Sequence, residues 1–141
     1  MKIEQIKKLY RTDVMKTAIM IWPELILTGA VDGDDFGSFD NCEAIAGRND
    51  DGRLLGFIVW RIYESTPRDV WIVLSYVLPQ HRRQGVYRAM LEALKEEMIK
   101  RGVEIIESII SSRNETMKNC KEALGFWPTR IVYRLELKAN P

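Results

Sequence analysis

The chain lacks the features that mark several large classes of protein. It has only two cysteines, Cys42 and Cys120, and no CxxC spacing, which favours reduced thiols over a disulfide framework. No apolar run approaches the roughly 20 residues that cross a bilayer. Its 21 basic and 20 acidic side chains leave a net charge of +1, without the basic excess of a nucleic-acid surface. We therefore expect neither a membrane nor a nucleic-acid partner.

The remaining composition is that of an ordinary globular chain. It is 46% hydrophobic and 29% charged over 141 residues, which predicts one domain spanning residues 1–141. The N-terminal sequence MKIEQIKKLY has no apolar core of a signal peptide, so we expect a cytoplasmic protein.

The first half of the chain reads mainly as strands. The first ten residues fit either a strand or a helix. A helix capped by Thr12 or Asp13 follows, and Pro23 indicates a kink or an end near Trp22. A long loop rich in glycine and aspartate then leads to a hairpin over residues 43–63.

The second half alternates strands and helices. The pattern predicts strands over 70–79, 103–112 and 130–138, and helices over 85–101 and 114–125. This order predicts an α/β (α+β) fold, with a mixed, mostly antiparallel sheet flanked by helices. The strands before Arg82 and after Gly102 should be parallel neighbours. The apolar terminal strand offers a surface that could pair across a homodimer.

The stretch from Tyr76 to Leu91 suggests an anion site. A helix that begins near Gly85 exposes its first N–H groups, and its dipole adds partial positive charge there. Arg82 and Arg83 can add charge-assisted hydrogen bonds. The alternative is a capped helix with solvated arginines.

Two segments carry a resemblance to a known family. VLPQHRRQGVYRAML resembles the acetyl-coenzyme-A loop of the GNAT superfamily of N-acetyltransferases, which reads R/Q-x-x-G-x-G/A after a strand ending in V-x-P. Val77, Pro79, Arg82 and Gly85 match that pattern, whereas Tyr87 replaces its last Gly/Ala. NETMKNCKEALGF resembles a later segment of the family, with Asn114, Leu124, Gly125 and Phe126 in place.

The resemblance implies an acetyl-CoA-dependent enzyme with a strand pair that splays apart at the cofactor. The backbone of Val77 would then hold the pantetheine arm, and N–H groups of residues 82–87 would hold the pyrophosphate. Asn114 would contact the cofactor near its thioester, or simply cap a helix. The implied cofactor-binding residues are Val77, Arg82, Arg83, Gln84, Gly85, Val86, Tyr87 and Asn114.

The catalytic groups are less clear from the sequence. The family often places a tyrosine acid seven residues after the asparagine, and here that position is Lys121, which could assist the thiolate or be a solvated helix residue. Tyr133 and Tyr87 are further candidate acids, although the apolar neighbours of Tyr133 favour a core position. The backbone N–H of Val77 or Leu78 could meet the oxyanion.

No general base is evident. Strand alternation places positions 71, 73 and 75 on one face, and of Trp71, Val73 and Ser75 only the serine could position a water. His81 lies in the cofactor loop and is expected to be exposed. Glu43 and Glu64 could act through water, or the amine could arrive already neutral.

The loop before the hairpin is acidic. Asp32, Asp34, Asp35 and Asp40 would favour a cationic amine. The positions of Asp32, Asp34, Gly37, Asp40 and Glu43 also fit a calcium-loop template, but Phe36 occupies a ligand position, so we expect no metal and favour a solvated loop.

The resulting hypothesis is an N-acetyltransferase that moves an acetyl group to a small cationic amine in a ternary complex. Two alternatives stay open. One is a non-catalytic sensor domain that binds acyl-CoA. The lack of an evident general acid and general base in the sequence is consistent with it. The other is an acetyltransferase acting on protein lysines or N-termini.

Overall fold

The computed structural model describes residues 1–31, 39–63 and 65–137. Along the described chain the elements are β1 Lys2–Ile6, α1 Asp13–Leu27, β2 Glu43–Arg48, β3 Leu54–Tyr63, β4 Thr66–Val77, a 3-10 turn Pro79–His81, α2 Val86–Lys100, β5 Ile105–Ser108 and α3 Glu115–Ala123. The ambiguous first segment is therefore a strand. None of these helices is both long and apolar enough to cross a membrane.

The strands form one sheet in the order β1-β2-β3-β4-β5. Every neighbouring pair is antiparallel except β4 and β5, which are parallel and joined by α2. The predicted hairpin is present, and its turn is held by Asn49, whose Oδ1 accepts from the N–H groups of Asp51 and Arg53 at 3.0 and 2.9 Å. The predicted α/β fold with one parallel strand pair is confirmed.

A hydrophobic cluster covers each face of the sheet. One contains the buried face of α2, the other the buried face of α1. Strand β2 shows the period of two that divides them, because Ile45 belongs to the α2 cluster whereas Ala44 and Ala46 belong to the α1 cluster. Alternate side chains of β2 therefore pack against different helices.

Helix α1 begins as predicted but does not end where proline suggested. Thr12 caps it, with Oγ1 accepting from the N–H of Met15 at 3.3 Å. It continues through Pro23 to Leu27. The carbonyl of Ile19 loses its partner at Pro23, but Ile19 is exposed, so water can reach that side of the helix.

The prediction of a terminal strand over 130–138 is wrong for the described residues. Residues 127–137 form neither helix nor strand, and Ile131, Tyr133 and Leu135 are almost fully exposed. Their alternation suits a strand, but a strand also needs a neighbour for its backbone groups, and none of the described elements pairs with it. Strand β5 is also shorter than predicted, ending at Ser108.

Candidate functional site

The candidate site is a cleft that opens where β4 and β5 separate. Their ladder ends at the pair Ile72 and Ser108, where β5 itself ends, whereas β4 continues to Val77. The cleft lies in this opening and extends to the start and middle of α3. Its lining residues are Ala30, Val31, Ile72, Val73, Leu74, Ser75, Ser108, Ile109, Ile110, Asn114, Met117 and Lys121.

A bulge in β4 determines which of its side chains lie on the face of the sheet that packs against α2. The register with β3 shifts between Val59 and Trp60, so β4 carries one extra residue at Val73. Ser75 therefore lies opposite Ile58, on the α2 face, whereas Val73 packs with the α1 cluster. The prediction that positions 71, 73 and 75 share one face is wrong for Ser75.

The backbone groups of Leu78 and Val77 point in opposite directions. Leu78 N–H donates to the carbonyl of Leu55 at 2.9 Å, toward β3. Because antiparallel partners alternate, the N–H and C=O of Val77 point away from β3. The carbonyl of Val77 accepts from Arg82 Nε at 2.9 Å. Of the two candidate oxyanion donors, Leu78 N–H is therefore already engaged, and the N–H of Val77 is the better placed.

The loop after β4 leads into an uncapped helix. Gly85 is the N-cap of α2, with φ of +81° and no side-chain cap. A Cβ placed there would meet no atom within 4 Å, so the surface in front of the helix is open. Arg83 also has a positive φ, of +62°, which turns the loop so that N–H groups at the start of the helix are accessible.

The polar side chains of this loop are engaged to different degrees. Arg82 folds back on β4: its Nε donates to the carbonyl of Val77 at 2.9 Å, and its guanidinium lies over the Tyr76 ring. Gln84 Nε2 donates weakly to the carbonyl of Gln80 at 3.4 Å. Arg83 and Gln84 are exposed. The Arg82 side chain is therefore directed toward β4, with Nε engaged by Val77.

Lys121 is buried, at 3% exposure, and lines the cleft. The alternative of a solvated helix residue is therefore wrong. Its Nζ donates to the Tyr87 hydroxyl at 2.8 Å and lies 4.8 Å from the centroid of the Phe126 ring. A cationic group thus sits between two aromatic rings at the wall of the cleft.

Burial shifts both partners of this contact. Desolvation lowers the pKa of Lys121 to about 8, only partly opposed by the charge of Cys120. Desolvation raises the pKa of Tyr87 to about 12, against a hydrogen bond with Ser75 that lowers it. The ammonium can therefore give up its proton near neutral pH, while the phenol stays protonated.

Asn114 caps α3 and also ties it to another part of the cleft. Its Oδ1 accepts from the N–H of Met117 at 3.1 Å, and its Nδ2 donates to the carbonyl of Ala30 at 3.2 Å. Both the cap and a place at the cleft thus apply to this residue, since it also lines the opening.

Other candidate residues lie away from the cleft or outside the described part. Tyr133 is 89% exposed and is absent from the lining, so its expected core position is wrong. Glu43 accepts two hydrogen bonds from Arg101, at 2.7 and 2.9 Å, so its carboxylate is already paired. His81 is half-buried in the 3-10 turn rather than fully exposed.

Most of the acidic loop falls outside the described part of the chain. Glu64 and the loop residues Asp32, Asp34, Asp35, Phe36 and Gly37 lie outside the described residues. Asp40, which follows, is exposed. In the described ranges no group of three or more His, Cys, Asp or Glu residues could hold a metal ion.

Sequence reasoning named both Tyr87 and Lys121 but not their contact. Each departs from the family pattern, Tyr87 where a small residue is usual and Lys121 where a tyrosine is usual. The structure brings the two departures together at 2.8 Å. A paired departure of this kind is the signal that could have suggested the contact.

Comparisons with known proteins place this geometry in a family. The family model described as "Acetyltransferase (GNAT) family" matches residues 10–126. No curated protein sequence was found to match the chain.

Several solved structures share the fold. The aminoglycoside N-acetyltransferase AAC(6')-Iy in complex with CoA is 23% identical, with a TM-score of 0.64, covering 98% of this chain and 100% of that one. An aminoglycoside acetyltransferase, HMB0005, from an uncultured soil metagenomic sample is 19% identical, with a TM-score of 0.69 and coverages of 97% and 98%.

A ribosomal-protein-alanine N-acetyltransferase from Brucella melitensis biovar Abortus 2308 is 17% identical, with a TM-score of 0.64 and coverages of 97% and 100%. These likenesses show the fold, and the family match covers most of the chain. The chain belongs to the GNAT family of acetyltransferases, and it is an acetyl-CoA-dependent N-acetyltransferase.

Proposed function

We propose that the enzyme transfers the acetyl group to the primary amine of a small cationic molecule, by direct attack in a ternary complex. The observation that carries this proposal is the cleft itself, which is lined by Lys121 and by residues of β4 and β5. The acetyl thioester would lie between β4 and β5, and the amine would approach from the side of Val31.

The cofactor would bind along β4 and across the start of α2. The open N–H groups from Arg82 to Tyr87 suit the pyrophosphate, because a helix N-terminus attracts anions. Val77 would offer its N–H to the oxyanion, and its carbonyl, which accepts from Arg82 in this structure, to the pantetheine arm. Arg82 would exchange the carbonyl of Val77 for a phosphate oxygen, a stronger charge-assisted partner. Arg83 and Gln84 are exposed beside it.

Lys121 would act as the general acid. Attack forms the C–N bond, the tetrahedral intermediate collapses with cleavage of the C–S bond, and the thiolate takes a proton from the Lys121 ammonium. Its pKa of about 8 lies near the roughly 8.5 of a simple thiol, so this transfer is close to balanced in free energy. Tyr87 holds Nζ in place. The amine attacks in its neutral form and releases its proton to solvent.

The choice of a small cationic amine draws on the acidic loop and on the fold relatives. Val31 lines the cleft, and Asp32, Asp34 and Asp35 follow it directly in the chain. Carboxylates this close in sequence to a lining residue would attract a cationic acceptor. Two of the structural relatives described above carry the name of aminoglycoside acetyltransferases.

Substitution of Lys121 tests the chemical role. Lys121→Met should lower kcat by about 100-fold, with KM for acetyl-CoA within about twofold. Lys121→Arg keeps the charge but cannot release a proton near neutral pH, so it should be equally slow. In the unmodified enzyme kcat should fall above pH 8 as Lys121 loses its proton. Lys118→Met, on the exposed face of the same helix, is the matched control. Unchanged kcat in Lys121→Met would exclude the acid role.

The substrate class needs a separate experiment. Release of CoA thiol should be measured against polyamines, basic amino acids, aminoglycosides and lysine- or alanine-bearing peptides. We expect Asp34→Asn with Asp35→Asn to raise KM for the best cationic amine at least fivefold and to leave KM for acetyl-CoA unchanged. The control is Asp50→Asn with Asp51→Asn, an acidic pair in the hairpin turn. Turnover of peptides alone would reject a small amine, and CoA binding without any turnover would favour a sensor.

A further inference from the structure

The wall of the cleft carries an amine that belongs to the protein itself. Of the described residues that line the cleft, Lys121 alone has an amino group. It lies in α3 about two turns after Asn114, which caps the helix and lines the same cleft. Under the proposed function the acetyl thioester also lies in this cleft. The enzyme would therefore hold an amine of its own close to the group that it transfers.

The contacts of this amine are all with neutral groups. Nζ donates to the Tyr87 hydroxyl at 2.8 Å, and the ring centroids of Tyr87 and Phe126 lie 5.4 and 4.8 Å away. None of the ion pairs between described residues includes Lys121. A buried ammonium without a carboxylate partner gives up its proton readily. With a pKa of about 8, about one tenth of the chains carry the neutral amine at pH 7.

The position of Lys121 leaves its amine one open side. Tyr87 and Phe126 pack against the α2 cluster and are not among the lining residues of the cleft. Lys121, at 3% exposure, thus lies at the boundary between that cluster and the cleft. The hydrogen bond to Tyr87 uses one N–H, so a neutral amine keeps a second N–H and its lone pair. The lone pair is the nucleophile in acyl transfer to an amine.

We propose that Lys121 takes the acetyl group from bound acetyl-CoA when no acceptor amine is present. The inference rests on the proposed function for the position of the thioester, but not on Lys121 acting as the general acid. The neutral Nζ attacks the thioester carbonyl and forms an amide C–N bond. The C–S bond breaks, and CoA leaves as the thiol after taking the proton that Nζ releases.

The acetylated lysine would fit its surroundings and would block the enzyme. Its amide nitrogen keeps one N–H, which can still donate to the Tyr87 hydroxyl. The amide carries no charge, so the desolvation that opposes the ammonium no longer acts on it. It has no proton to give to the thiolate, and its acetyl group occupies part of the cleft. The modification therefore switches the enzyme off when acetyl-CoA is abundant and acceptor amine is scarce.

Mass spectrometry of the enzyme incubated with acetyl-CoA alone tests this modification. The intact protein should gain the mass of one acetyl group, and peptide mapping should place it on Lys121. The activity assayed afterwards should fall in proportion to the acetylated fraction. Lys121→Arg should gain no acetyl group, whereas Lys118→Arg, on the exposed face of the same helix, should be acetylated like the unsubstituted enzyme. Lys121 without an acetyl group, or acetylation without loss of activity, would overturn the proposal.

A second set of measurements separates transfer within the cleft from chemical acetylation in solution. Excess desulfo-CoA, which occupies the cofactor site without an acetyl group, should suppress the acetylation of Lys121 at least tenfold. The rate per chain should not depend on enzyme concentration. It should rise about tenfold from pH 7 to pH 9, as the ammonium of Lys121, with Tyr87 and Cys120 as its titratable neighbours, loses its proton. Acetylation that desulfo-CoA leaves unchanged, or that reaches Lys118 as fast as Lys121, would overturn the proposal.

The result also stands apart from the test of the acid role. Acetylated Lys121 together with an unchanged kcat in Lys121→Met would reject the general acid and keep the self-acetylation. A slow Lys121→Met variant together with an unmodified Lys121 would keep the general acid and reject the self-acetylation. The mapping uses the unsubstituted enzyme, so it does not depend on the folding of any variant.

Discussion

Helices α2 and α3 contact each other through Tyr87 and Lys121 but begin in opposite ways. At α2 the N-cap is Gly85, which has no side chain to accept from the first N–H groups. At α3 the N-cap is Asn114, which accepts from Met117 and donates to Ala30. One helix start is open and the other is closed by the protein itself.

The difference separates a binding surface from a support. A side-chain cap stabilises a helix by about 1 kcal/mol, and α2 forgoes it. The N–H groups left free are those that an anion can occupy, so under the proposed function the bound pyrophosphate would supply this stabilisation. The closed start of α3 instead fixes the direction of the helix that carries Lys121.

Placing a side chain at the open start of α2 should have the largest effect, which is on CoA affinity. Gly85→Asp puts a carboxylate where the pyrophosphate is proposed to bind, and should weaken CoA binding at least 100-fold, about 3 kcal/mol, by charge repulsion. Gly85→Asn has nearly the same shape, and both residues tolerate a positive φ. It should therefore lose much less affinity. Isothermal titration calorimetry with CoA measures both, and equal affinity of the two variants would show that charge at this position does not matter.

Lys121, in the last turn of α3, should lower the free energy of unfolding when its ammonium is charged and buried. Between pH 8 and about 10.4 the unfolded state holds a proton that folded Lys121 has lost, so stability should rise with pH across that window. Below pH 8 the folded state carries the buried charge at a cost of up to about 3 kcal/mol. Lys121→Met should remove that cost at pH 7.

Urea unfolding of both proteins at pH 7 and pH 9.5 measures the difference. The gain from Lys121→Met should be largest at pH 7 and should shrink by pH 9.5. A gain that is the same at both pH values would place its cause in packing rather than in the charge of the lysine.

Removing the Asn114 cap at the start of α3 should have a smaller effect, which is on the free energy of unfolding. Asn114→Ala removes the cap and the bond to Ala30, and should lower the free energy of unfolding by about 1–2 kcal/mol. Asn114→Asp keeps an acceptor for Met117 but loses the donor to Ala30, so it should recover part of the loss. If KM for acetyl-CoA rises equally in both variants, the amide touches the cofactor as well as the helix.

The open start of α2 could be predicted from sequence because its signals are local. Pro79 ends the strand and Gly85 begins the helix within a few residues. The buried Lys121 contacts Tyr87, which lies 34 positions away in the sequence. Because lysine is rarely buried, its residue type alone favoured an exposed position. Similarly, alternation along β4 could not reveal the extra residue at Val73 that moves Ser75 to the face of α2.

The smallest effect should come from removing the Tyr87 hydroxyl, which accepts from Lys121 and so joins α2 to α3. Tyr87→Phe removes the acceptor for Lys121 Nζ, which favours the charged ammonium, so the pKa of Lys121 should fall further below 8. The alkaline limb of kcat should then move to lower pH, with kcat at pH 7.5 reduced about threefold, under 1 kcal/mol. Tyr133→Phe removes the same group from an exposed residue outside the cleft and should change neither quantity. If the alkaline limb stays in place in Tyr87→Phe, the contact between the helices supports structure without tuning the acid.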